Sequence, residues 1–292
     1  MSSVTSNPSV MTPGAKLAGS PMSMRIEPPR GLFNLHLGEL WACRELLYFF
    51  IWRDVKVRYK QTLIGVLWVV IQPLMTMGVF TIFFGRLAKL PSQGLPYPVF
   101  YFAALVPWAY FASALSSCTN IVVSNQHVIT KVYFPRLVLP LTAVCSPLVD
   151  FCVGLVVMIV LTLSFGIRPP ATVLLLPVLI VLAVLTALAV GLWTSALNAL
   201  YRDVTSIMPF AVQFWMIASP VAYPSSLVPQ QWRALYGLNP MVGVIDGFRW
   251  ALTGHGQPPG PTMLISVAIV MILLMGGLIF FQRMEGTVTD RV

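Results

Sequence analysis

Beyond residue 60 the chain is a succession of long apolar runs set apart by short polar stretches. Runs free of Lys, Arg, Asp and Glu cover 61–85, 90–130, 169–201, 204–232 and 250–282, and a further run at 138–165 is interrupted by one carboxylate, Asp150. A helix needs about 20 apolar residues to cross about 30 Å of hydrocarbon. Backbone polar groups in lipid must be satisfied within the segment, which makes helices the expected form. The pattern predicts an all-α membrane protein with six transmembrane helices, placed at 63–85, 98–122, 138–165, 173–200, 205–223 and 262–281.

Three stretches depart from that pattern. Residues 1–30 are rich in Ser, Pro and Met without an apolar core; they read as a disordered cytoplasmic tail rather than a signal peptide. Residues 31–62 mix aromatics (Trp41, Tyr48, Phe49, Phe50, Trp52) with charges (Arg53, Asp54, Lys56, Arg58, Lys60). So many charges exclude a span, and an N-terminal helix lying in the membrane interface fits better. Residues 220–261 open on Ser219-Pro220-Val221-Ala222-Tyr223-Pro224 and hold two semi-apolar pieces, about 226–237 and 240–253, too short to cross. They read as short re-entrant helices between spans five and six, on the outer side. The spanning domain thus runs over 63–285, and 286–292 form a C-terminal cytoplasmic tail.

Composition agrees with a bilayer as solvent: 57% of the 292 residues are hydrophobic and 9% charged, against about 25% charged in soluble domains. The net charge of +9 does not point to nucleic acid, because eight of the 18 Lys and Arg lie before residue 62. There they act as a lipid anchor and a topology signal, which places both termini in the cytoplasm. Cys43, Cys118, Cys145 and Cys152 form no CxxC pair and read as small apolar fillers rather than metal ligands. The three histidines fall in separate segments, the carboxylates are scattered, and neither HExxH nor GxSxG occurs. Nothing here marks a catalytic site or a metal. The GxxxxG spacing of Gly14 and Gly19 is followed by Ser20 rather than Lys, so it is no phosphate loop. The chain carries no cofactor of its own, and any ATP that drives it is bound by a partner subunit.

Four features are candidates for function. Asp150 inside the third span is either part of a polar pathway or a structural partner of a Ser, a Thr or an interfacial Arg. Ala183, Ala187, Gly191, Ser195 and Ala199 recur every fourth residue along the fourth span, a stripe that lets another helix approach closely. The aromatics Phe80, Phe83, Phe84, Tyr101, Phe102, Trp108, Tyr110 and Phe111 serve either as interface belts and lipid-facing bulk or as a path on which sugar rings stack. The loop 124–136, with Asn125, Gln126, His127, Val128 and Lys131, is either a docking helix for a soluble partner or an ordinary connector.

Three stretches together resemble the polysaccharide-exporter (O-antigen) branch of ABC-2 type permeases. The first is Arg53-Asp54-Val55-Lys56-Val57-Arg58-Tyr59-Lys60-Gln61-Thr62, running into Leu63-Ile64-Gly65-Val66-Leu67-Trp68 and Gln72-Pro73-Leu74. The second is Lys131-Val132-Tyr133-Phe134-Pro135-Arg136 with Leu139-Pro140. The third joins Tyr201-Arg202-Asp203-Val204, Ser219-Pro220-Val221, Leu238-Asn239-Pro240-Met241 and Gly247-Phe248-Arg249-Trp250. The match covers about residues 35–285. It implies a homodimer paired with two copies of a separate ATPase, in a bacterial inner membrane, exporting a polyprenyl-pyrophosphate-linked polysaccharide such as an O antigen or capsule. It further implies that 31–62 is an interface and gate helix and that Asn125 to Lys131 form the helix that couples to the ATPase. It also implies an aromatic-lined channel, for which Phe80, Phe84, Tyr101, Phe102, Trp108, Tyr110 and Phe111 are the candidates. Arg53, Arg58 and Lys60 stand where they would meet a lipid pyrophosphate or anchor the helix to lipid. The alternative within the family is another cargo, such as teichoic acid, a lipid or a drug. A membrane glycosyltransferase would want paired carboxylates, and an ion-coupled transporter several ionisable groups in its spans.

Overall fold

The computed structural model describes residues 37–60, 66–132, 134–256, 258 and 260–291, all within one contact unit, His36–Val292. The tail read over 1–30, including the Gly14–Gly19 spacing, and the edges 31–36 and 61–62 of the interfacial segment lie outside the described residues. Among those residues every regular element is a helix: α1 (Leu37–Ala42), α2 (Arg44–Lys60), α3 (Val66–Phe80), α4 (Tyr97–Ser124), α5 (Gln126–Ile129), α6 (Val138–Cys145), α7 (Leu148–Ser164), α8 (Leu176–Leu200), α9 (Asp203–Ile217), α10 (Arg233–Tyr236), α11 (Pro240–Thr253) and α12 (Pro261–Arg291).

Among the described residues five helices are long and apolar enough to cross a membrane: Leu67–Leu87, Tyr97–Ser124, Val138–Ser164, Ala171–Leu200 and Pro261–Met284. Each begins and ends within a few residues of a run expected from the sequence. The first extends α3 through a π-helical turn at Thr81–Leu87. The third is α6 and α7 joined at Pro147, whose missing N–H explains the break. The remaining expected span, 205–223, meets α9, which has 15 residues and stops at Ile217. The amide of Ser219 already bonds back only three residues, to the Met216 carbonyl at 3.2 Å. Pro220 then disfavours helical geometry at the residue before it.

The connection beyond α9 only partly follows the expected pair of short helices. Residues 240–253 form α11 as expected. Residues 226–237 are not one helix: 3₁₀ turns at Ser225–Leu227 and Gln230–Trp232 precede the single turn of α10. Pro224 and Pro229 flank those turns in extended geometry and interrupt any longer helix. The segment read as one interfacial helix is likewise two, α1 and α2, parted by a turn at Cys43.

α4 is the centre of the unit, and the stretch Val99 to Ala104 is buried on every side. Helices in lipid gain little from the hydrophobic effect and pack by close contact of small residues. The four-residue stripe on α8 serves this purpose: Ala183, Ala187, Gly191 and Ser195 are buried, and α8 packs most extensively on α4 and α12. At Gly191 a Cβ atom would stand 2.8 Å from Cys118 Sγ and 2.9 Å from its Cβ on α4. Gly191→Ala is therefore expected to force α4 and α8 apart and destabilise the bundle by about 1–3 kcal/mol, and Gly191→Leu to prevent assembly. Melting of the detergent-purified protein checks this; unchanged melting of both variants would refute the packing account.

Four threonine hydroxyls inside the spans turn to their own helix. Thr119, Thr142, Thr162 and Thr186 each donate to the carbonyl four residues earlier, at 2.7–2.8 Å. Such bonds keep polar side chains satisfied in hydrocarbon.

Candidate functional site

Two polar clusters form where the distinctive stretches of the sequence meet. The first gathers α2, the loop after α4, and α7. The α2 helix holds its cations against its own aromatics: Arg53 lies 4.9 Å over the Phe50 ring and Lys56 4.2 Å over Trp52. Phe50, the buried residue of α2, packs on Phe134 with ring centroids 5.9 Å apart. One turn on, the Arg53 guanidinium donates to Asp54 at 2.9 Å and to Asn125 Oδ1 at 3.1 Å. Asn125 is buried, and its amide nitrogen donates to the Ile121 carbonyl at the end of α4 at 2.9 Å. α5 starts at the next residue, so its origin is tied to α2 through one side chain. Gln126 is half-buried, Val128 packs on the apolar core, and His127 and Lys131 are exposed.

Further along α2, Arg58 and Tyr59 both reach Asp150 in the first turn of α7: the guanidinium donates to one carboxylate oxygen and the phenol to the other. Of the two readings open for Asp150, the structure gives it an arginine partner from α2. Burial, followed by the accepting Asp150 carboxylate, pushes the Tyr59 hydroxyl up to about 12, so it remains a donor across the physiological range. Arg53, Arg58 and Lys60 are not brought together: Arg53 turns to Asn125, Arg58 to Asp150, and Lys60 is exposed in the last turn.

Next to this triad opens a cavity of about 750 Å³ between α2, α3, α4 and α7. Trp68, Val69, Phe102, Leu105, Val106 and Phe151 give it an apolar wall. Gln72, Ser113 and Tyr110 add polar groups. Of the seven aromatics picked out as channel candidates, Phe102 and Tyr110 thus line this cavity. Phe80 and Phe84 are half-buried and stack on each other at 5.3 Å, and Phe80 stacks on Tyr101 at 4.6 Å. Trp108 and Phe111 lie inside the core of the chain, where Phe111 meets Trp215 of α9 at 5.1 Å.

The second cluster joins α9, the turn after it, and α11. Asn239 accepts from Trp215 Nε1 at 2.9 Å and from the Met241 amide at 3.0 Å, and donates to Ser219 Oγ at 2.9 Å. Arg249, 1% exposed, donates to the Pro220 carbonyl at 2.6 Å and to Asp246 at 3.3 Å, with Phe100 of α4 3.9 Å beneath it. Tyr97 at the start of α4 donates to the Ala222 carbonyl at 2.7 Å. Irregular backbone at 218–224 is thereby clamped from three sides. Tyr59, Asn239 and Arg249 were quoted in the sequence as parts of motifs but not as site residues. Asn followed by Pro is an N-cap and first-turn signature that marks the start of α11, and an arginine between apolar residues calls for a partner.

The family model for "ABC-2 type transporter" matches residues 45–253, which span both clusters. The "O-antigen export system permease protein RfbA" of Myxococcus xanthus is 31% identical over 251 residues, 85% of this chain and 95% of that protein. The protein of that same description from Klebsiella pneumoniae is 27% identical over 68% of this chain and 76% of its own length. The "Polysialic acid transport protein KpsM" of Escherichia coli is 18% identical over 80% of this chain and 91% of its own length. With its five long apolar helices and a family match across most of its length, the chain is a multi-pass membrane protein that belongs to the ABC-2 type transporter family, in the branch that holds the O-antigen export permeases.

Proposed function

We propose that this chain is the permease subunit of an ABC exporter that carries a polyprenyl-pyrophosphate-linked polysaccharide, of O-antigen or capsule type, across the bacterial inner membrane. The observation that carries the reading is the 31% identity to an O-antigen export permease over 95% of that relative's length. The same match covers 85% of this chain. In this reading two copies of the chain pair with two copies of a separate ATPase, and both termini face the cytoplasm.

The geometry supports a division of labour. α5 is the docking element for the ATPase, and the Arg53–Asn125 bond passes its movement to α2. α9 is the remaining crossing: at about 1.5 Å per residue its 15 residues are short for the bilayer, and the turn clamped by Arg249 and Asn239 extends it. The segment 225–253 then lies on the outer side: α11 packs on α4 and α12 within the membrane, while the 3₁₀ turns before it are largely exposed and stay at the interface. The apolar faces of the first span (Trp68, Met75, Val79, Phe83) and of α9 (Ile207, Phe210, Phe214) are exposed in one protomer and are assigned to the partner subunit and the polymer path. Weak stacking on aromatic rings holds a sugar without trapping it, which a moving polymer needs.

Deleting the gene in its host tests this. The expected result is loss of a surface polysaccharide with build-up of the full-length lipid-linked polymer inside. Unchanged surface polymer would refute the cargo, and absence of polymer everywhere would move the protein into synthesis.

A further inference from the structure

Asp150 is the carboxylate within a span, and both of its oxygens are taken up by α2. It stands in the first turn of α7, three residues beyond the break at Pro147. A carboxylate inside a span is costly unless a cation neutralises it. The pair is also not sealed: the Arg58 and Asp150 side chains keep 34% and 25% of their surface, and both border the 750 Å³ cavity. Ligand sites occupy about 300–1,000 Å³ and combine apolar walls with a few convergent polar groups. Here the walls are aromatic and aliphatic, and the one cation lining the cavity, Arg58, is already engaged by a carboxylate of the same chain.

We propose that Asp150 is a stand-in ligand, which occupies Arg58 until the pyrophosphate of a lipid-linked substrate displaces it. The inference rests on the lipid-linked reading above. The exchange follows from charge and geometry. A pyrophosphate carries more negative charge than a carboxylate and offers more acceptor oxygens, and a guanidinium pairs with either in bidentate fashion. The substrate therefore wins Arg58 when present, while membrane anions of lower charge do not. Asp150 keeps the Tyr59 bond during the exchange, so the carboxylate released from Arg58 retains a donor. Because Arg58 and Tyr59 sit at the end of α2 and Asp150 on α7, the exchange also loosens α2 from α7. The same α2 is bonded to Asn125 beside α5, so headgroup arrival is felt at the ATPase side. Asp150 is thus a positioning residue that sets how strongly an anion must bind to open the site.

The test uses the full chain with its ATPase in neutral-lipid nanodiscs and farnesyl pyrophosphate as the probe. Asp150→Asn, which keeps shape and removes charge, is expected to bind the probe about tenfold more tightly and to raise ATP hydrolysis without substrate. Arg58→Gln is expected to weaken binding at least tenfold. A merely structural ion pair predicts unchanged or weaker binding for Asp150→Asn, and that result overturns the proposal. Should Asp150→Asn fail to assemble, Tyr59→Phe leaves both charges and deprives the displaced carboxylate of its remaining donor; about threefold weaker probe binding supports the exchange, and unchanged or tighter binding overturns it. Phosphatidylglycerol is added as competitor: failure to displace the probe supports pyrophosphate selectivity, and displacement at equal concentration overturns it in favour of membrane phosphate. Surface polymer in the deletion strain reads the export proposal separately. Polymer lost on deletion with Asp150→Asn binding unchanged overturns the exchange alone; no probe binding and unaltered polymer overturn both.

Discussion

Arg249→Ala is expected to lose most of the permease from the membrane. Arg249 is 1% exposed, bonded to the Pro220 carbonyl at 2.6 Å and to Asp246 at 3.3 Å, and seated 3.9 Å over Phe100. Truncation removes the donor that holds the 218–224 turn, empties the space above Phe100 and leaves Asp246 without its counter-charge. Breaking a buried pair from one side costs about 3–5 kcal/mol, a large part of the about 5–15 kcal/mol that keeps a domain folded. Asp246→Asn is expected to cost less, because Asp246 is 20% exposed and Arg249 keeps both Pro220 and Phe100. Arg249→Lys is expected to resemble the alanine variant, since an ammonium lacks the planar fork that stacks on a ring while donating sideways. Protein level and melting of the purified permease check the order: wild type, then Asp246→Asn, with Arg249→Lys and Arg249→Ala far below. Equal melting of all four would refute the clamp.

The second large effect belongs to α5. His127 and Lys131 are both exposed on or just beyond that helix, so placing carboxylates there with His127→Glu and Lys131→Glu leaves the bundle intact. If α5 docks the ATPase, the double variant no longer co-purifies with it, and export falls at least about tenfold while melting of the permease alone stays as in wild type. Charged residues at the rim of an interface act mainly on association and its salt dependence, so added salt should weaken the residual complex further. Co-purification at wild-type level with normal export would remove α5 from the coupling path.

The spans were legible because a bilayer imposes a length and forbids charge, and both conditions can be read from 61–85, 90–130 or 169–201 directly. The small-residue stripe on α8 was legible for a similar reason: its four-residue period is one face of a helix. The end of α9 was legible only in part: Pro220 signals a break, but hydropathy continues smoothly through Ile217-Ala218, and the local backbone bonds place the stop two residues before Ser219. The break-up of 226–237 was not legible, because there Pro224 and Pro229 outweigh a semi-apolar composition. The aromatic run on α4 posed a different problem. Apolar periodicity does not distinguish burial in lipid from burial in protein, so Tyr101, Trp108 and Phe111 read the same whether they face a channel, a chain or the bilayer. The partner of Asp150 lies 92 residues away in the sequence. No local pattern links Arg58 to it, although an uncompensated carboxylate in a span already demands a partner. The convergence of Ser219-Pro220, Asn239 and Arg249 was present as quoted motifs, but only the fold shows that one hydrogen-bonded clamp accounts for all of them.

The central claim is that a lipid-linked polysaccharide crosses the membrane through this chain at the expense of ATP bound elsewhere. Purified permease and its ATPase, reconstituted into proteoliposomes with radiolabelled polyprenyl-pyrophosphate glycan, test it most directly. The account predicts that the glycan moves to the opposite side of the vesicle membrane only with hydrolysable ATP and only when both proteins are present. Equal movement without ATP, or with the ATPase omitted, would contradict it.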